Sequence, residues 1–211
     1  MTDSDPAFED LTARARIRDA AIRLFTERGT AKTSILDIAE KAGVSGGLIR
    51  HHFGSKDGLR EACDAHVHDE LLKFKLEALE KGGADAGFLP TFDPRQLLLR
   101  RYLGRAMIDG SEAAARQFAE IVDETEAYFR AVDAGGPDPR AAAAALVAMT
   151  GGLFVFHGPM ADVLGETPNT HEATLRIMAA AGHVLTHPPA APEHLEKARE
   201  VLSEMDTQGK G

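Results

Sequence analysis

Ten residues between positions 33 and 56 carry groups suited to nucleic-acid chemistry: Thr33, Ser34, Ser45, Gly46, Gly47, Leu48, Arg50, His51, His52 and Lys56. Hydroxyls, guanidinium and ammonium groups, and backbone amides at helix starts bind phosphate oxygens. Arginine can also read guanine through two parallel hydrogen bonds. Thr33 and Ser34 stand at one expected helix start. Ser45, Gly46 and Gly47 stand at the next, where the amides point outward. Leu48, Arg50, His51 and His52 lie off the apolar face marked by Ile49 and Phe53.

The elements that position these groups are legible in the run SILDIAEKAGVSGGLIRHHFGSK, residues 34–56. Ser34 caps a helix, with Asp37 as the answering acid three residues on. Ile35, Ile38 and Ala39 follow at helical spacing. Gly43 ends that helix, because glycine takes a left-handed turn at little cost. Ser45 caps a second helix and Ser55 a third. Ala39 permits close helix crossing and Gly43 makes the corner. The build is a helix-turn-helix, whose second helix enters the DNA major groove.

The stretch 17–56 resembles the TetR family of bacterial transcriptional regulators. The resemblance rests on Ile17, Ala20, Ala21, Leu24, Phe25 and Gly29, then Thr33, Ser34, Ile38, Ala39, Ala42, Gly43, Val44 and Ser45, and then Leu48, Ile49, His52, Phe53, Ser55 and Lys56. It implies groove-facing or backbone-facing positions for Gly46, Gly47, Leu48, Arg50 and His52, and a phosphate contact for Lys56. Two departures stand out. Arg50 occupies a position where the family usually has tyrosine, so a base contact and a phosphate contact are both open. Gly46-Gly47 offers no side chains and weakens the helix start by roughly 1 kcal/mol per glycine.

The net charge of −9 is unevenly spread. Residues 1–60 hold ten Lys/Arg against nine Asp/Glu, whereas residues 61–211 hold fourteen against twenty-four. The positive charges at the motif end include Arg14, Arg16, Arg18, Lys32, Arg50 and Lys56. A local basic face suffices for phosphate contact, and binding of this kind is salt-sensitive. One cysteine, Cys63, excludes an internal disulfide. The N-terminus is acidic and lacks the apolar core of a secretory signal, and no apolar run is long enough to cross a bilayer. These features lead us to expect a soluble, cytoplasmic protein that does not use a membrane.

Further along, the pattern is helical throughout, with no strand signal. Residues 1–10 read as a disordered tail, 11–56 as the DNA-binding domain and 57–207 as a helical effector-binding and dimerisation domain. Helices are expected at about 12–28, 56–81, 95–109, from the Ser111 cap through Phe129, 140–164, 170–185 and 193–205. A glycine- and proline-bearing linker is expected at 82–94. The segment 140–164 is apolar on nearly all sides, weakened by Gly151 and Gly152 and kinked by Pro159. Two such apolar helices near the C-terminus exceed what one small domain hides, which points to a homodimer.

No catalytic motif is present, so the chain reads as a non-enzyme without a cofactor. His66 and His68, with Asp64, Asp69 and Glu70, have the wrong spacing for one metal ion and read as a solvated helix face. Cys63 reads as a plain helical residue. The family resemblance implies a repressor released from a palindromic double-stranded operator by a small-molecule effector of unknown identity. Leu98, Arg101, Tyr102, Phe118, Val122, Phe154 and His157 are the candidate lining of its pocket. The alternatives are an architectural DNA-binding protein without effector, and a helical enzyme or metal-binding protein carrying a DNA-binding module.

Overall fold

The structure is a computed structural model; it describes residues 6–80, 94–133, 136–168 and 170–187, and residues 194, 196, 197, 200 and 201. Among the described residues nine helices form and no strand does. They are α1 (Pro6–Arg28), α2 (Ile35–Ala42), α3 (Gly46–Phe53), α4 (Lys56–Glu80), α5 (Pro94–Ile108), α6 (Glu112–Ala131), α7 (Pro139–Val155), α8 (His157–Val163) and α9 (His171–Thr186).

The first helix begins earlier than its apolar pattern, at Pro6, because proline is tolerated in a first turn and nothing before Gly29 interrupts the chain. Residues 1–5 of the expected tail lie outside the described residues, as does nearly all of the 82–94 linker. Of the expected last helix, the five described residues are helical and the others lie outside.

One continuous core joins α1 to α5. Ile17, Ala21, Phe25, Ile38 and Ile49 pack with Leu59, Cys63 and Val67 of α4 and with Leu99, Tyr102 and Ala106 of α5. The apolar interior therefore does not close at Lys56. The helix-turn-helix sits on α4 and α5 as on a shared base.

The segment 140–164 is two helices, not one kinked one. α7 and α8 meet at Phe156 with a bend of 62°. Pro159 explains the place. It lacks the N–H that would bond the Val155 carbonyl, and its ring clashes with that carbonyl, so the ladder breaks four residues upstream. Gly151 and Gly152 stay helical. α7 lies close on α5 at Gly104, where an added Cβ would fall 2.5 Å from Val155 Cγ2.

The expected burial of the C-terminal apolar surface is incomplete in the single chain. Ala143, Phe154, Ala161, Ala173 and Ile177 are buried, but Met149, Phe156 and Val163 are 59%, 60% and 88% exposed. Leu175 and Val184 are exposed as well. Among the described residues no single helix is long and apolar enough to cross a membrane; the bent α7–α8 pair reaches that length and composition only jointly.

Candidate nucleic-acid interface

α2 is held by a complete capping box. The Ser34 hydroxyl accepts from the Asp37 N–H (3.1 Å), and the Asp37 carboxylate accepts from the Ser34 N–H (2.8 Å) and hydroxyl (2.6 Å). Those Ser34 bonds, with Arg28 nearby, hold the Asp37 carboxyl below its ordinary range. Gly43 turns the chain at φ +67°, a conformation that disfavours any Cβ. The Ser45 hydroxyl then accepts from the Leu48 N–H at 3.2 Å and opens α3.

α3 is eight residues long and anchored by Ile49, which is 1% exposed. Gly47, Arg50 and His51 fall on the opposite, exposed face at helical spacing. Leu48 and His52 share a half-buried flank. His52 lies edge-on to both His51 and Phe53, with ring centroids 5.4 and 6.0 Å apart. His51 therefore shares the open face with Arg50, whereas the sequence resemblance singles out His52. The Arg50 guanidinium makes no hydrogen bond or ion pair among the described residues. Arg14 lies over the Phe53 ring at 5.2 Å and fixes α3 against α1.

Two of the sequence-selected residues are bonded to the α1–α2 loop, Thr33 buried and Lys56 half-buried. Thr33 is 1% exposed, and its hydroxyl donates to the Gly29 carbonyl at 2.8 Å. It closes the α1–α2 loop from within and presents no side-chain group to a phosphate. Lys56 donates to the carbonyls of Thr30 (3.0 Å) and Thr33 (3.2 Å). Its ammonium clasps that same loop to the start of α4. Both placements have one cause: a tight loop leaves carbonyls without partners, and the nearest donors satisfy them.

The loop is also held from α5. The Thr30 N–H donates to Asp109 Oδ2 at 2.7 Å, and Arg105 Nε donates to Asp109 Oδ1 at 3.0 Å. No sequence signal marks Asp109, because its partner lies 79 positions away. A second missed group is the buried Asp64. It accepts from the Tyr102 hydroxyl (2.6 Å) and the Ser111 hydroxyl (2.7 Å), tying α4, α5 and the α6 N-terminus together. The reading of Asp64 as part of a solvated face fails for this reason: two hydroxyls replace its water. Burial and that carboxylate push the Tyr102 phenol upward, burial first. Burial likewise pushes the Cys63 thiol up, so it stays protonated and unreactive.

The seven candidate pocket residues do not converge on one cavity. Leu98 and Arg101 line a cleft of about 310 Å³ between α1, α4 and α5, with Asp19, Arg23 and Glu70 among its other walls. Tyr102 lines a second, of about 430 Å³, between α4, α5 and α6, with Glu61, His68 and Glu120. Phe118, Val122, Phe154 and His157 line neither. Val122 and Phe154 are buried, and Phe118 is half-buried. Tyr128 of α6 is 53% exposed.

Comparison with known proteins agrees with this geometry. Residues 17–63 match the bacterial regulatory proteins of the tetR family. The HTH-type transcriptional regulatory protein RaaS of Mycobacterium tuberculosis is 39% identical over 180 residues, 81% of either chain. The HTH-type transcriptional regulator BetI of Burkholderia thailandensis is 41% identical over 58 residues, which is 28% of this chain and 30% of that one. A solved Rhodococcus sp. structure described as a TetR-family transcriptional regulator aligns over 82% of this chain and 98% of its own, with a TM-score of 0.52 at 23% identity.

Proposed function

The chain belongs to the TetR family and is a DNA-binding transcriptional regulator; on that premise we propose that it is a homodimeric repressor, released from a palindromic operator by a small molecule held among its C-terminal helices. The observation that carries the DNA half is the exposed Gly47–Arg50–His51 face of α3, backed by the buried Ile49. Arg50 and His51 would face the major groove, and Gly47 would let the backbone approach. Ser34, Ser45 and the outward amides of Gly46 and Gly47 would meet phosphates. Leu48 and His52 would border the contact. Thr33 and Lys56 act one step back, by holding the loop that sets the angle of α2 and α3.

The exposed apolar groups of α7, α8 and α9 support the dimer. Met149, Phe156, Val163, Leu175 and Val184 are left in water by the single chain, and a second copy would cover them. The effector would act through α5. This helix holds the α1–α2 loop through Asp109 and meets α7 at Gly104, so a ligand moving α5 moves the DNA-reading helices. Release requires that the ligand bind the DNA-free arrangement more tightly.

Selection of bound duplexes from a random pool, followed by release assays with a metabolite library, tests the reading. A palindromic site and a releasing compound are expected. A pool with no enriched sequence would remove the DNA half, and release by no compound would favour an architectural role.

A further inference from the structure

Arg100 is half-buried on α5, with the Nε edge of its guanidinium shut away from water. It lies one turn before Gly104, so both share the face of α5 that meets α7. Its guanidinium carbon is 5.5 Å from the Phe154 ring centroid. Its Nε is buried without a hydrogen-bond partner, and no carboxylate pairs with it among the described residues. Burial alone pushes its pKa down. Arg105, farther along α5, is by contrast answered by Asp109, while the Nε of Arg60 on α4 is also buried without a partner. A buried donor is costly unless bonded, and arginine cannot escape by losing its proton. The Phe154 ring recovers only part of that cost.

A second polar atom close along the chain is also unanswered. The Thr174 hydroxyl donates to the Thr170 carbonyl at 2.9 Å, so it accepts from His157 Nε2 at 3.1 Å. His157 Nδ1 is then a bare acceptor, buried without a partner three residues beyond Phe154. A Cβ added to Gly151 or Gly158, both half-exposed, would meet no atom within 4 Å, so the α7–α8 corner is open at these positions.

We propose that Arg100 is the anchor of a ligand site at the α5–α7 contact, and that its ligand carries an anionic group, a carboxylate or a phosphate, on an apolar body. The guanidinium fork suits either anion. The apolar body follows from the neighbours on this contact, Phe154 against Arg100 and Val155 against Gly104. This site rests on the effector reading above and gives it a ligand class.

The test uses the full-length protein with octanoate, octyl phosphate, octanol, octylamine, acetate and inorganic phosphate, read by thermal unfolding and by displacement of the selected operator. Octanoate or octyl phosphate, or both, should raise Tm and displace DNA, and octanol and octylamine should do neither. Stabilisation by acetate or inorganic phosphate as strong as by the tailed anions would overturn the apolar-body half. Without ligand, Arg100→Met should melt no lower than the wild type, because no hydrogen bond or ion pair is lost and a buried unpaired donor is removed. It should also bind the tailed anions about 10–100-fold more weakly, with Arg100→Lys in between. A variant that melts lower and still binds as the wild type does, or equal stabilisation by octylamine, or stabilisation by neither anion, would overturn the site. Arg100-dependent binding that leaves the operator occupied would keep the site and remove the effector reading. Release by compounds that Arg100→Met does not affect would do the reverse.

Discussion

Arg50 and Lys56 are both cations beside the recognition helix, yet the structure gives them different work. Arg50 is exposed and makes no bond within the described residues, so its loss should be felt on DNA. Arg50→Ala should weaken operator binding by about 1–3 kcal/mol and relax preference at one base pair if it reads a base, or weaken all sequences alike if it holds a phosphate. Binding to a panel of single-base operator variants separates the two. Lys56 is engaged with the carbonyls of Thr30 and Thr33. Lys56→Met should therefore lower stability by about 1–3 kcal/mol, seen in urea unfolding without DNA, because it leaves carbonyls of a tight loop unsatisfied. A variant as stable as the wild type, with only a shallower salt dependence of binding, would return Lys56 to the phosphate. Sequence reading identified both residues because type and spacing are local properties. It could not see that Lys56 points back into its own loop, since that depends on where the Thr30 and Thr33 carbonyls face.

At the scale of elements, the short helices were legible and their supports were not. Ser34, Asp37, Gly43 and Ser45 act within four residues of themselves, so caps and corner follow from order along the chain. The Asp109–Thr30 bond spans 79 positions, and the Asp64–Tyr102–Ser111 cluster joins three helices. Neither leaves a periodic trace. The bend between α7 and α8 was half legible: Pro159 announced a break, and the steric rule places it four residues earlier, at the Val155 carbonyl. Asp109→Asn keeps the shape but weakens the grip on Thr30 N–H and Arg105. It should loosen operator binding several-fold and reduce the response of binding to effector, with a smaller effect on Tm than Lys56→Met. Anisotropy titrations with and without effector would show this. An unchanged effector response would confine Asp109 to stability. Asp37 makes α2 pH-sensitive: its lowered pKa means that the cap's contribution is complete above the ordinary carboxylate range and is lost as pH falls through the lowered value. Acid unfolding of Asp37→Asn should lack that part of the wild-type curve.

The whole molecule is a reading head on a base of α4 and α5, followed by apolar helices that one chain leaves partly uncovered. His157 adds a pH dependence of its own. Burial first, then the Arg101 charge, depress its pKa from 6.5. The unfolded chain therefore binds a proton near pH 6.5 before the folded one does, so stability is complete above that pH and falls as pH drops below it. His157→Gln should flatten the stability profile between about pH 5 and 7. Val163, 88% exposed on α8, is the most open of the apolar groups assigned to the dimer. Val163→Glu should shift the particle toward a single chain in light scattering and weaken operator binding with it. The central claim is that two copies of α3 read one duplex through a two-fold. Footprinting of the protein on its selected site, with the mass of the complex measured in parallel, tests this most directly. The account predicts inverted half-sites protected about one helical turn, or a whole multiple of it, apart, with protomers bound in pairs. A lone protomer protecting one unrepeated block would contradict it.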